Sequence, residues 1–404
     1  MNFWKAESIL PLFFFLGIIC HGIFFVREWI VLGSIFIFLC LINWRQFSLS
    51  NMPSCPWSNL FFGAMILLSL AGLIWPVRSS DGWLDALRWL IYWIAYLWGS
   101  RLAEIENKGH IVLRLVGVTL ICIILSLLPG SEKVWLPPPA PEQERYAFCF
   151  GYPNTAADFL FCHIMVLYQY RKKITVRIAA LMPAVWGLFI CSLLLTGSRM
   201  SLLLSVGVTM IIIFKDGCVR NHVKHRGHRR PNQDGRNPQR KKEVYALTGA
   251  ACVVLLLFIA PMISRYPDGI LHLFDWTNTS LTERMHYFRD SIKLAWDAHF
   301  LPRAGGWLAF SFVQTTAYWT LDPHSSFCRI LLNQGLAGVA ICIIWAGKGV
   351  FNYVRSLIIE KNMDPIISKT AVLYLGLHSA FDADMLFGIV GILFWMLAGM
   401  NRTA

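Results

Sequence analysis

His324-Ser325-Ser326-Phe327-Cys328-Arg329-Ile330-Leu331-Leu332-Asn333-Gln334-Gly335-Leu336-Ala337-Gly338 begins an apolar run that continues to about residue 346. It places a titratable imidazole at the mouth of what reads as a membrane-spanning helix. Crossing about 30 Å of hydrocarbon at about 1.5 Å per residue takes about 20 residues, and this run supplies them. Working outward, comparable runs lie near 9–26, 29–44, 58–76, 84–100, 111–128, 154–170, 178–196, 199–214, 244–263, 366–381 and 384–400. With 325–346 they make about twelve transmembrane helices. A chain of 404 residues that is 56% hydrophobic and only 15% charged lies outside the range of soluble globular proteins. The fold class expected is all-α and polytopic, one membrane domain over 1–404 without internal repeats.

Basic residues are retained on the cytoplasmic side of a membrane, so their distribution orients the chain. About two thirds of the Lys and Arg fall in alternate segments on one side, the densest being 215–243. Both termini are therefore expected in the cytoplasm, with 215–243 a basic cytoplasmic loop and 264–324 a long extracytoplasmic loop. The first apolar run follows Lys5 and shows no small-residue cleavage site, so it reads as a retained signal-anchor. The net charge of +13 does not point to nucleic acid, because so much of it sits in 215–243 among Pro231, Asn232, Gly235 and Pro238, a solvated composition beside anionic headgroups. His222, His225 and His228 in that loop read as solvated, with a transition-metal site the lesser alternative. The eleven cysteines show no CxxC and lie mostly in apolar runs, where a thiol acts as a small hydrophobe; Cys149 and Cys328 are the pair nearest the outer surface.

A polar excursion as long as 264–324 in a compact membrane protein usually carries function. Within it 281–299 reads as a helix, with Leu281, Met285, Phe288, Ile292, Ala295 and Trp296 at three-and-four spacing as its apolar face. Arg284 falls in the first turn, where the helix dipole and free amides favour an anion. Arg289, five residues on, is a second candidate cation. In the other excursion, 129–153, Pro137 to Pro141 is stiff and extended. Asn154, just after it, is placed to cap the next helix.

Arg199 follows Thr196-Gly197-Ser198 at the junction of two spans. An arginine there is costly in lipid without an anionic partner. It reads either as an interfacial side chain reaching lipid phosphates or as a bidentate grip on a diphosphate, assisted by the Thr196 and Ser198 hydroxyls. His324, after Pro323, either caps its helix or accepts a proton from a hydroxyl at neutral pH. His378-Ser379-Ala380-Phe381-Asp382-Ala383-Asp384 occupies a tight turn between the last two spans. Its Asp-x-Asp reads as structural or substrate-orienting ahead of a metal site, because hard cations take more oxygen ligands than two aspartates supply. No P-loop, dinucleotide fingerprint or zinc-protease motif occurs, so a donor must arrive already activated.

Thr196-Gly197-Ser198-Arg199, Ser280-Leu281-Thr282-Glu283-Arg284 and His324-Ser325-Ser326 running into Gly335-Leu336-Ala337-Gly338 together resemble the O-antigen ligase and Wzy-type polymerase family. Gly151-Tyr152-Pro153-Asn154-Thr155-Ala156 and the His378 to Asp382 spacing are similar to segments of the same family, so the resemblance covers about 145–400. It implies a GT-C-like, metal-independent inverting glycosyltransferase of the cytoplasmic (inner) membrane that needs no cofactor. The donor implied is a glycan on undecaprenyl diphosphate, used on the outer face and passed to a glycan or lipid acceptor. By motif position, Arg199 and Arg284 would contact the diphosphate and His324 would serve as base or orient the acceptor. Asn154, Ser198, Ser325, Arg289, His378 and Asp382 are further candidates for substrate binding. The chain departs from the family pattern at Arg303 and Ala304, before Gly305-Gly306. A lipid-linked oligosaccharide flippase and a non-catalytic part of a glycan-assembly complex are the competing classes. The first would call for matching broken helices in two halves, and none are found in the sequence.

Overall fold

The computed structural model describes residues 6–42, 56–104, 108–127, 145–171, 176–225, 238–274, 280–315, 320, 322–360 and 363–401. The Pro137–Pro141 stretch and His228 with the rest of 226–237 lie outside the described residues, as do the side chains of His222, His225 and Leu281. The described residues contain α-helices, short 3-10 turns and no strands. In chain order the helices are α1 (Ala6–Ile19), α2 (Val26–Ile42), α3 (Pro56–Ala71), α4 (Ser79–Glu104), α5 (Lys108–Ser126), α6 (Pro153–Tyr170), α7 (Val176–Leu195), α8 (Arg199–His225), α9 (Pro238–Arg265), α10 (Pro267–Phe274), α11 (Ser280–Asp297), α12 (Ser326–Ile359), α13 (Met363–Phe381) and α14 (Gly388–Met400).

Among the described residues, four helical stretches are long and apolar enough to cross a membrane: Pro56–Ile74, Gly109–Ser126, Ala246–Arg265 and Ser326–Ile359. Shorter apolar helices run over Ile9–Ile19, Ala179–Leu195 and Gly388–Met400. Large apolar side chains such as Leu60, Leu67, Leu257 and Ile344 stand exposed along these helices, a surface that fits hydrocarbon and not water. The described residues are thus all-helical, as in a polytopic membrane protein. The basic segment expected as a loop is helical at both ends, since α8 continues to His225 and α9 starts at Pro238.

The helices gather into two compact units. The first contains α1 to α4, α11, α12 as far as Asn352, the end of α13 from Leu375, and α14. Here α14 lies along α4, which also carries α2 and α3. Tyr92 and Trp395 pack with Phe61, Phe62 and Trp89 in one aromatic cluster. α12 is broken at Gly335, whose φ of 70° and ψ of −169° lie outside the helical region. The break frees backbone groups that hydrocarbon could not satisfy. Segment 300–304 satisfies them: Leu336 N donates to Phe300 O at 3.0 Å and Arg303 N to Asn333 O at 2.9 Å. That is where the departure at Arg303 and Ala304 falls, and both residues act there through their backbone, Ala304 N donating to Gly72 O at 2.9 Å.

The second unit contains α5 to α10, the end of α12 from Tyr353, and α13 as far as Tyr374. α7 is its centre, packed by α6, α9 and α10. Tyr374 donates its hydroxyl to buried Asp158 of α6.

Candidate active site

In the first unit, α11 presents Arg284 to the turn between α13 and α14. Its Nη2 donates to Asp382 Oδ2 at 2.6 Å, with Asp382 fully buried and Arg284 19% exposed. A buried carboxylate needs partners, and Asp382 has a second in its own turn, the Ala383 backbone N–H at 2.7 Å. The same turn holds the start of α12. Ser326 N donates to Asp382 O at 3.1 Å, and Ser325 Oγ donates to Ala380 O at 2.6 Å. Ser325 Oγ also accepts from Cys328 N at 3.2 Å, the bond of a helix N-cap. The capping role foreseen for this helix entry therefore falls to Ser325, one residue beyond the histidine.

His324 is held by its backbone instead. Its φ is +44°, uncommon for a residue with a side chain, and its N–H donates to Asp322 Oδ1 at 3.0 Å. The other Asp322 oxygen accepts from Arg329 Nη1 at 2.8 Å, and the Arg329 guanidinium lies over the Trp307 ring, 4.5 Å from its centroid. Tyr287, one turn beyond Arg284 on α11, brings its ring centroid to 5.9 Å from that of His324. Burial, and then the Glu283 carboxylate, push the Tyr287 hydroxyl up to about 12, so it stays a proton donor at neutral pH. Arg284, His324, Ser325 and Asp382, four residues singled out from the sequence, thus meet in one place. His378 and Asp384 stand behind them, fully buried, with Nδ1 to Oδ2 at 2.8 Å and Ser379 Oγ also donating to that oxygen.

In the second unit, Arg199 is the first residue of α8, half-buried. The turn before it depends on Gly197, whose φ is +62° and where an added Cβ would lie 2.7 Å from Gly269 O. The hydroxyls that the sequence suggested for a ligand are engaged within this turn: Thr196 Oγ1 donates to Leu193 O at 2.7 Å, and Ser198 Oγ bonds Ser201 Oγ at 2.7 Å. Asn154 does not cap α6. Tyr152 occupies the cap position and Pro153 the first turn, where its missing N–H is no loss. Asn154 Oδ1 instead accepts from Arg145 Nη2 at 3.0 Å, while Arg145 Nε donates to Thr196 O at 2.7 Å. On the other side of the turn, His272 Nδ1 lies 3.0 Å from Gly197 O.

Sequence reasoning missed Tyr287, Asp322, Arg145 and His272. Tyr287 was accessible, being three residues beyond Arg284 and therefore on its side of the helix. Arg145 and His272 were not, because the turn they brace is 51 and 75 residues away in the chain. Arg289 is exposed and lies away from Asp382's partner Arg284 on the helix wheel. Cys149 and Cys328 are both buried free thiols.

A helical membrane protein in which α11 delivers a carboxylate-held guanidinium beside an imidazole has the parts for handling an anion and a hydroxyl together. Residues 183–343 match the family model described as O-antigen ligase. Arg199, Arg284 and His324 lie inside it; Asn154, His378 and Asp382 lie outside. No curated protein and no solved structure matches the chain.

Proposed function

We propose that the chain is an inverting glycosyltransferase of the cytoplasmic membrane, moving a glycan from undecaprenyl diphosphate to a hydroxyl of a glycan or lipid acceptor on the extracytoplasmic face. The observation that carries this reading is the convergence of Arg284, Asp382, Tyr287 and His324 at the entry of α12, within the O-antigen ligase match for all but Asp382. In the proposed mechanism the donor enters laterally from lipid, and Asp382 aims the Arg284 fork at the diphosphate. Arg199, on the Arg145-braced turn of the second unit, is proposed as a further diphosphate-binding cation from the resemblance of Thr196-Gly197-Ser198-Arg199 to the family. As the glycosidic C–O bond breaks, charge grows on the leaving diphosphate, and fixed guanidinium groups stabilise it without reorganising. His324 aligns the acceptor hydroxyl opposite the leaving group and takes its proton, so the configuration inverts. No bound metal is assigned a step.

The topology proposed with it has twelve crossings in one membrane domain over 1–404, both termini cytoplasmic, 215–243 inside and 264–324 outside. The test uses proteoliposomes holding the full chain, an acceptor and undecaprenyl-diphosphate glycan labelled in the sugar. Release of undecaprenyl diphosphate with label on the acceptor supports transfer. Movement of intact label across the bilayer without bond cleavage would instead establish a flippase and overturn the proposal. In cells, His324→Ala separates the two transfer reactions: single repeats left on the carrier mark a polymerase, and long polymer stranded on it marks a ligase.

A further inference from the structure

α11 has two unlike faces. Tyr287, Asp290, Ser291, Leu294 and Ala295 are buried, with Tyr287 and Leu294 in a cluster with Phe310, Leu331 and Leu332. Asp290 is accommodated there because it accepts from Thr315 N at 3.0 Å and Thr315 Oγ1 at 2.6 Å. Around the helix, Met285, Ile292 and Trp296 are 64%, 51% and 69% exposed, and their spacing of seven and four residues puts them on one stripe. The exposed side chains of Arg289 and Lys293 stand on the same side.

The depth of this stripe follows from what α11 rests on. Phe288 packs its ring 6.1 Å from Phe327 and 6.0 Å from Phe381, the second residue of α12 and the last of α13. α12 is one of the helices long and apolar enough to cross a membrane, so α11 packs at one end of a helix that can span. A helix at that end with an apolar stripe, a tryptophan and a basic flank has the character of one lying in the membrane plane.

We propose that α11 lies flat in the headgroup layer on the His324 side of the membrane, with Met285, Ile292 and Trp296 at the acyl boundary and Arg289 and Lys293 on the phosphates of anionic phospholipid. This separates the two arginines of the helix: Arg284 faces the Asp382 turn and Arg289 holds the bilayer. The inference stands whether or not the chain transfers glycan, and its test does not read glycan chemistry.

The full chain is reconstituted in nanodiscs of phosphatidylcholine with or without phosphatidylglycerol, carrying a photoreactive benzophenone amino acid at position 292, 296 or, as control, 297. Asp297 is exposed on a different side of the helix. After irradiation, intact mass should show phospholipid adducts from 292 and 296 in several-fold excess over 297. The double substitution R289Q and K293Q should lower the phosphatidylglycerol adducts several-fold and leave those of phosphatidylcholine unchanged. Without any substitution, a water-soluble acylating reagent should modify Lys293 several-fold more slowly in discs containing phosphatidylglycerol. Equal adducts at all three positions, links between two copies of the chain in place of lipid, or equal Lys293 rates in both discs would overturn the proposal.

Discussion

Arg284 and Asp382 are best tested by substitutions that keep the fold. Removing one partner of a buried ion pair leaves the other uncompensated, at a cost of about 3–5 kcal/mol, so Arg284→Ala confounds folding with chemistry. Arg284→Lys keeps the charge for Asp382 but loses the planar fork. It should preserve the yield of folded protein and lower kcat about 100-fold, the loss typical of removing one preorganised donor at a developing oxyanion, read as undecaprenyl diphosphate released per minute. A kcat within threefold of the parent would remove Arg284 from the diphosphate. Tyr287 makes a different prediction. Its hydroxyl sits on Glu283 at 3.4 Å and stays protonated, being pushed up to about 12. Tyr287→Phe should therefore leave the shape of the pH–rate profile between pH 6 and 9 unchanged while lowering the rate about tenfold, within the range for one lost hydrogen bond. A new ionisation in that profile would show that the phenol titrates during turnover. Arg145→Lys should weaken donor binding more than Arg145 itself could account for by contact, because it loosens the Thr196–Gly197 turn; a KM change about equal to that of Arg199→Lys is the expected reading.

At the scale of elements, the break in α12 is the feature with most consequence. Gly335 holds a backbone conformation open essentially to glycine alone, and a Cβ there would come within 2.4 Å of Phe300 O. Gly335→Ala should destabilise the protein by about 1–3 kcal/mol from the backbone alone, more with the clash, seen as a lower midpoint of thermal unfolding in detergent. Because segment 300–304 would be pushed from the break, the His324 turn should also lose protection in hydrogen exchange. α11 shows how periodicity can find a helix and mislead about its face. Met285, Ile292 and Trp296 have the spacing of a packing stripe, yet they are exposed, and the inward side carries Asp290 and Ser291. The reason is that apolar spacing reports a face that avoids water, and beside a bilayer that face has two places to go.

For the whole molecule, orientation is the claim that governs all the chemistry. Reporter fusions after residue 235 and residue 275 should report opposite sides, cytoplasmic and extracytoplasmic, with the C-terminus cytoplasmic. The same side for both would put His324 and the basic segment together and remove the outer-face mechanism. Composition alone sufficed for a helical membrane protein, since 56% hydrophobic residues in runs of about 20 leave little else that satisfies the backbone in lipid. His324, Arg199 and Arg284 could be singled out as candidates, because short motifs at helix ends survive in one dimension. What the chain could not disclose by itself was partnership. Asp382 is 98 residues from Arg284 and Arg145 is 51 from Thr196, and nothing local in either segment depends on the other. Only folding, by bringing distant segments together within each unit and burying a carboxylate that must then be neutralised, decided that an Asp-x-Asp turn holds an arginine and that Asn154 braces a turn instead of capping a helix.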